Sequence, residues 1–358
     1  MSPMKQKLFD LAVSNVVASA VAVGLRLNLF KKLAEISSEK NPVLPEQLAE
    51  AAGCKERYVR EWCNCMACGE IIEVDEKERF WIKEENVEDL INSSYGTVMI
   101  GSTPTMLEPF DLLLDCFKKE GPHGLAYSEF SKFQSFMENL STTLHEKHVI
   151  SDMLPALGHG IVEKLEAGGI RVLDVGCGNG FHSSLLAEQY PEAHFTGLDI
   201  DSDAIKQAKK RKPKSGGIYE NLEFIECDAG KMPETWTGCF DLVLIFDACH
   251  DQCRPDLCIR EVQRVLKTKG VVAIVEINSS SNVFSDKSTM GPLAALLYGR
   301  SMLHCLPVGS NDANALCLGS MWGRRRAVDL LKRCGFLDVE IVDIPYFPIN
   351  VLYVAKKD

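Results

Sequence analysis

The texture of apolar and polar positions changes three times along the chain. Up to about Tyr95 the apolar residues recur at helical spacing and then give way to a short alternating stretch. Leu25, Leu27, Leu29, Phe30 and Leu33 predict a first apolar helix, and Pro45–Ala52 a second, with proline at its start and Gly53 at its end. Glu56 to Cys68 predicts a third, stopped by Gly69. Two strands follow, 71–74 and 80–82, joined by a charged turn from Asp75 to Arg79. From Gly96 to Glu166 the pattern is again helical, with a turn around Pro122 and apolar residues at helical spacing from Phe130 to Leu157. Phe130, Phe133 and Phe136 read there as core residues that could also roof a pocket. After Gly168 and Gly169 strands and helices alternate, the sign of a parallel sheet. The strands are Arg171–Val175, His194–Leu198, Leu222–Glu226, Phe240–Phe246 and Val271–Glu276, with helices between them at Ser202–Arg211 and Pro255–Leu266. A helix near Arg324–Cys334 and a hairpin of Val339–Ile344 with Val351–Ala355 come last.

These changes divide the chain into residues 1–95, a helical linker or cap at 96–168, and an α/β unit at 169–358. The rhythm of that last unit is broken at 277–323, where 47 residues stand in place of a connection that usually needs ~2–6. Insertions at the carboxyl edge of such a sheet tend to be functional, so this one is expected to cap an acceptor site. Three helices followed by a hairpin make a winged-helix pattern. Charge decides what that unit meets. Between Met1 and Tyr95 there are 12 basic and 16 acidic side chains, a net −4, and the third helix carries Glu56 and Glu61 with Glu70 just beyond it. A reader of DNA should present a basic face, so packing against a second subunit, as a homodimer, is the expected role.

The whole chain carries −11 at pH 7, which again argues against nucleic acid or an anionic membrane as partner. The apolar run from Leu11 to Leu25 is interrupted by Ser14 and Asn15 and closed by Arg26, and reads as too short and polar for a membrane span. Fourteen cysteines in a chain of 358 residues fit reduced thiols in a cytoplasmic setting, since a core of this size needs no disulfide framework. Cys63, Cys65 and Cys68 include a CxxC pair, but no second ligand pair follows, so no metal is expected.

Chemistry enters after the first strand of the α/β unit. Strand 171–175 runs into Gly176, Gly178 and Gly180 and then into a helix. Glycines there permit a tight turn and let a ligand lie against the backbone. The spacing is GxGxG rather than the GxGxxG of a pyrophosphate site, and Asp174 stands two positions before the first glycine. Asp199 closes the second strand, where a carboxylate can accept both ribose hydroxyls, and Asp228, followed by Ala229, closes the third, where an adenine amino group could donate to it.

These residues resemble the class I S-adenosylmethionine-dependent methyltransferases over roughly Arg171 to Asp358. The resemblance implies a Rossmann-like sheet ending in an antiparallel hairpin behind a mainly α winged-helix domain. It implies S-adenosylmethionine as cofactor, with Gly176–Gly180 along its methionine part, Asp199 on the ribose, Asp228 on the adenine, Asp174 ordering the loop, and Ala229 and Phe246 nearby. The stretch from Phe246 to Asp251, with Glu276 closing the fifth strand, is similar to the plant-type small-molecule O-methyltransferases. By that likeness His250 is the general base and Glu276 orients it, and Phe136 with Met137 falls on a pocket-lining helix. Where that family has a second glutamate before its final helix, this chain has Met321 and Trp322. A still closer general likeness, through 246–251, 297–307 and 318–323, is to winged-helix methyltransferases of bacteria and animals.

Histidine titrates near neutrality and suits removal of a hydroxyl proton. The expectation is therefore methyl transfer to a small-molecule acceptor, most simply at oxygen. Nitrogen or sulfur acceptors stay open, as do a DNA-binding regulator and a non-catalytic scaffold that binds the cofactor. His304, Tyr298 and Trp322 of the insertion could line the acceptor pocket, with His123 and Tyr346 as weaker candidates.

Overall fold

The structure is a computed structural model, and it describes every residue except 93, 131, 134–135, 137–141 and 143–144. Met137 thus lies outside the described residues. The chain forms two compact units, Met1–Glu108 and Pro109–Asp358.

In the first unit helix α1 spans Pro3–Arg26, capped by the Ser2 hydroxyl and started by a proline. The apolar stretch expected as one helix is two, because Asn28 adopts a left-handed backbone (φ 56°) and turns the chain into α2, Leu29–Ile36. Asparagine tolerates that conformation better than the leucines around it. Helices α3 (Pro45–Ala52) and α4 (Glu56–Cys68) fall at their expected limits, with Gly53 in the left-handed region (φ 63°) closing α3. The wing is shorter than expected: β1 (Glu73–Val74) pairs antiparallel with β2 (Phe80–Trp81). Phe30, Leu33, Leu48, Met66 and Phe80 form the core of this unit, and Cys63, two residues before the Cys65–Cys68 CxxC pair, is buried among them. Helices α5 (Glu84–Ile91) and α6 (Tyr95–Met106) complete it.

One expectation about α1 needs correction. The helix is 24 residues long and apolar enough to cross a membrane by length and composition, with 17% of its apolar window buried. It begins well before Leu11, so the interruptions at Ser14 and Asn15 dilute the run without ending it. Met4, Leu8, Phe9, Leu11 and Val16 are exposed along it.

The second unit opens with α7 (Phe110–Cys116) and later α8 (Ile161–Ala167), and is built on a seven-stranded sheet. Its strands are β3 (Arg171–Val175), β4 (His194–Asp199), β5 (Leu222–Glu226), β6 (Phe240–Phe246), β7 (Leu266–Ile277), β8 (Val339–Asp343) and β9 (Asn350–Lys356). The order is β5-β4-β3-β6-β7-β9-β8, with the first five parallel and β9 antiparallel to both its neighbours. Strands β3 and β6 are apolar on both faces because helices cover both. Leu173, Val175, Val243 and Ile245 face α11 (Pro255–Val265) and α14 (Gly323–Arg333), and Val172, Leu242 and Leu244 face α8 and α9 (Phe181–Gln189). Each large apolar side chain so buried contributes ~1.5–3 kcal/mol before entropy is counted. Helix α10 (Ser202–Ala208) starts on the carboxylate of Asp201, which accepts from two backbone amides. The insertion holds α12 (Val283–Met290) and α13 (Pro292–Arg300), then a short helical stretch through Gly309. Strand order reverses between β3 and β6, and ligands of such sheets bind at the carboxyl side of that switch.

Candidate active site

At the switch point the backbone of the glycine loop is tied to the end of β4. The amides of Gly176 and Cys177 both donate to the carbonyl of Leu198 at 2.9 Å. The amide of Gly178 donates to Asp199 Oδ2 at 2.9 Å, and that of Asp201 donates to Oδ1 at 2.9 Å. All three loop glycines have positive φ, between 53° and 77°, so the loop is a turn that other residues enter only with strain. Two of them are also packed: a Cβ on Gly180 would meet the Phe224 ring at 2.3 Å, and one on Gly176 would meet Ala248 at 2.5 Å. A Cβ on Gly178 would meet nothing within 4 Å. The loop therefore presents free space beside Gly178, with Asp199 at its floor. Burial pushes Asp199 up, while the amides of Asp201 and Gly178 hold it down and keep lone pairs of a fixed carboxylate directed by the loop.

Asp174 lies beneath the loop, buried, and accepts from the Ser183 hydroxyl at 2.6 Å. Burial raises its pKa to about 6. Asp228 sits at the exposed end of β5 and accepts from the Gly230 amide at 2.8 Å, with Ala229 half-buried beside it. Phe246 ends β6, but one face of its ring is taken: His182 stacks on it at 3.8 Å with 7° between the planes. His182 Nε2 meets His145 Nδ1 at 2.9 Å, and burial holds both histidines low, His145 at about 4. This neutral pair carried no motif in the sequence. The glycine loop and the ends of β4 and β5 thus lie together, since Asp199 accepts from the Gly178 amide through its side chain and from the Cys227 amide (2.9 Å) through its carbonyl.

Directly after Phe246 the chain passes through Asp247, at φ 48°, and three residues later reaches His250. His250 is buried, and its Nδ1 makes a short hydrogen bond to Glu276 Oε2. Glu276 is fully buried and held from three more sides: Oε1 accepts from the amides of Cys249 (3.1 Å) and His250 (3.2 Å), and Oε2 from the Trp322 indole (3.2 Å). The residue standing where the resembled family has a second glutamate is therefore a donor to the first. Burial alone would push His250 down, but Glu276 and then Asp251 hold it well above 6.5. Nε2 stands 3.4 Å from Asp251 Oδ1. Asp247 accepts from Asn350 Nδ2 at 2.7 Å, and burial beside Glu276 lifts it to about 7.

The insertion candidates separate. The Tyr298 hydroxyl donates to Asp286 at 2.8 Å, which also accepts from Ser279 and Ser280, so Tyr298 braces the insertion. His304 packs edge-on against Phe130 and tilted against Phe133, and its buried Nε2 has no hydrogen-bond partner among the described residues. The Tyr346 hydroxyl is also buried without a partner among the described residues, its ring stacked on His148. His123 is exposed. Asp247, Asp251 and Cys305 were not singled out beforehand. Asp247 and Asp251 flank His250 within a stretch already in view, whereas Cys305 is brought there only by the fold of the insertion.

The chain matches two family models, "Methyltransferase domain" over residues 166–306 and "Rv2258c-like winged HTH domain" over residues 15–90. It is 38% identical over 114 residues to the fatty-acid O-methyltransferase of Mycolicibacterium smegmatis, a match covering 32% of this chain and 39% of that protein. To the ubiquinone biosynthesis O-methyltransferase of Pseudomonas aeruginosa it is 24% identical over 235 residues, covering 65% of this chain and 92% of that one. Human N-acetylserotonin methyltransferase, solved with S-adenosylmethionine, shares the fold with a TM-score of 0.68 at 17% identity, over 100% of this chain and 98% of that one. A methyltransferase domain thus follows a winged helix-turn-helix domain in this chain, on a sheet of that order, and the chain is an S-adenosylmethionine-dependent methyltransferase.

Proposed function

We propose that the chain methylates a hydroxyl oxygen of a small-molecule acceptor, with His250 as general base. The observation that carries this reading is the buried His250–Glu276 pair at the carboxyl edge of β6 and β7. Gly176, Gly178 and Gly180 receive the methionine part of the cofactor, Asp199 its ribose and Asp228 its adenine, with Ala229 and Phe246 beside them and Asp174 beneath the loop. The cofactor supplies a sulfonium-bound methyl group whose sulfur leaves with the bonding electrons. Glu276 holds the Nδ1 proton, which leaves Nε2 as the lone pair that takes the acceptor proton while the oxygen attacks. Positioning and proton removal together are the usual sources of rate in such a displacement.

A base works only when deprotonated, so a raised His250 pKa places the rising limb of the pH profile well above 6.5. On an acceptor found in a panel of small hydroxyl compounds, kcat should climb through that limb. Glu276→Gln keeps the acceptor geometry for the two amides but removes the charge, so it should move the limb to lower pH. A wild-type limb at or below 6.5, or no movement in the variant, contradicts the pairing.

The first unit is read as an assembly surface. The cations of α4 are already neutralised, Arg57 by Glu61 and Arg60 by Glu56 and Glu46, which leaves little for a phosphate backbone. The exposed apolar residues of α1 instead suit a second copy. Sedimentation should give the mass of a homodimer, unchanged by duplex DNA at low salt; a monomer, or a DNA complex, refutes this role.

A further inference from the structure

We propose that His250, Asp251 and Cys305 form a binding site for a thiophilic divalent cation of the zinc class. Each offers one ligand atom, and the three atoms lie within 4.8 Å of one another. Nε2 and Asp251 Oδ1 are 3.4 Å apart. Ligand atoms around a tetrahedral zinc with bonds of ~2.0–2.3 Å stand about 3.3–3.7 Å apart, so the edge between Nε2 and Oδ1 is already formed.

Two further observations point to a cation. Asp251 Oδ1 is buried and accepts no hydrogen bond among the described residues, its nearest charge partner being His250 Nε2 at 3.4 Å, and a buried carboxylate oxygen so poorly satisfied is costly. On the far side of the ring Nδ1 is held by Glu276, the carboxylate–histidine arrangement that fixes a ring and directs its Nε2 toward a metal. Glu276 is in turn held by two amides and the Trp322 indole. One nitrogen, one oxygen and one sulfur ligand suit zinc, whereas the sulfur excludes magnesium and calcium as good fits. Three protein ligands leave one position open on a four-coordinate ion. On binding, the Cys305 proton passes to solvent and the thiolate sulfur bonds the metal.

This site shares His250 with the proposed base but rests on geometry alone. A cation bound there takes the Nε2 lone pair, and so silences any transfer that needs it. Binding is read without acceptor or turnover, so its failure leaves the base reading untouched, and an inactive enzyme leaves the binding result standing.

The test is anaerobic titration of the full chain with Co²⁺, followed by competition with Zn²⁺ against a chromophoric chelator. The wild type should show a thiolate-to-cobalt charge-transfer band saturating at one equivalent. Cys305→Ser should lose that band while keeping its affinity for S-adenosylmethionine, which reports an intact fold. Glu276→Gln should weaken zinc by about 10–100-fold. No band in the wild type, or equal bands in the wild type and Cys305→Ser, overturns the proposal.

Discussion

Replacing His250 with Ala is expected to lower kcat by ~10²–10⁴-fold on a hydroxyl acceptor, the range that a positioned general base supplies. The affinity for S-adenosylmethionine should stay within about threefold of the wild type, because nothing in the glycine loop or at Asp199 bonds to the imidazole. The substitution also leaves Glu276 buried with one donor fewer, though both amides and the Trp322 indole remain. Some loss of stability is therefore expected, of order 1–3 kcal/mol, and a melting curve separates it from the kinetic effect. Single-turnover rates on cofactor-saturated protein are the decisive measurement. A loss below about threefold would leave His250 a structural residue and point to nitrogen or sulfur acceptors that need positioning alone.

The second large effect concerns the cofactor. Asp199→Ala should weaken S-adenosylmethionine by about 10²-fold or more, since two hydrogen bonds to a charged acceptor are worth ~1.5–3 kcal/mol each. Part of the loss comes from the protein itself, because Asp199 also fixes the amide of Gly178. Asp199→Asn distinguishes the two contributions: it keeps an oxygen for one amide but gives up the charge, and should fall between wild type and Ala. Calorimetric titration with S-adenosylmethionine and S-adenosylhomocysteine reads all three proteins. Equal affinities across them would move the ribose site away from β4.

Much of this was legible in the residues because it is local. Alternation of apolar segments gave the five parallel strands, and three helices with a short hairpin were visible from capping residues and charged turns. The glycine loop and the acids at two strand ends were readable because each follows its strand directly. The chain turn at Asn28 was missed, since leucines continue on both sides and only the left-handed backbone breaks the helix. What distant segments share was also hidden. Glu276 and Trp322 are 46 residues apart and meet through one indole hydrogen bond. His145 and His182, 37 apart, form a pair that no spacing rule announces. Cys305 reaches His250 only through the folding of an insertion whose internal contacts sequence cannot weigh.

The order of the sheet has a consequence in time. Strand β9 comes after every other strand of the sheet in sequence, yet it lies between β7 and β8. Strand β8 pairs with β9 alone, so it cannot join the sheet until β9 has been made. While the ribosome is still reading toward residue 350, β7 is an open edge, and such edges recruit foreign strands. The first residue of β9 is Asn350, whose side-chain amide secures Asp247 on the approach to His250. Closing the sheet and fastening the loop that carries the imidazole are thus one event, so a chain stalled during synthesis lacks a finished sheet and a secured histidine loop together.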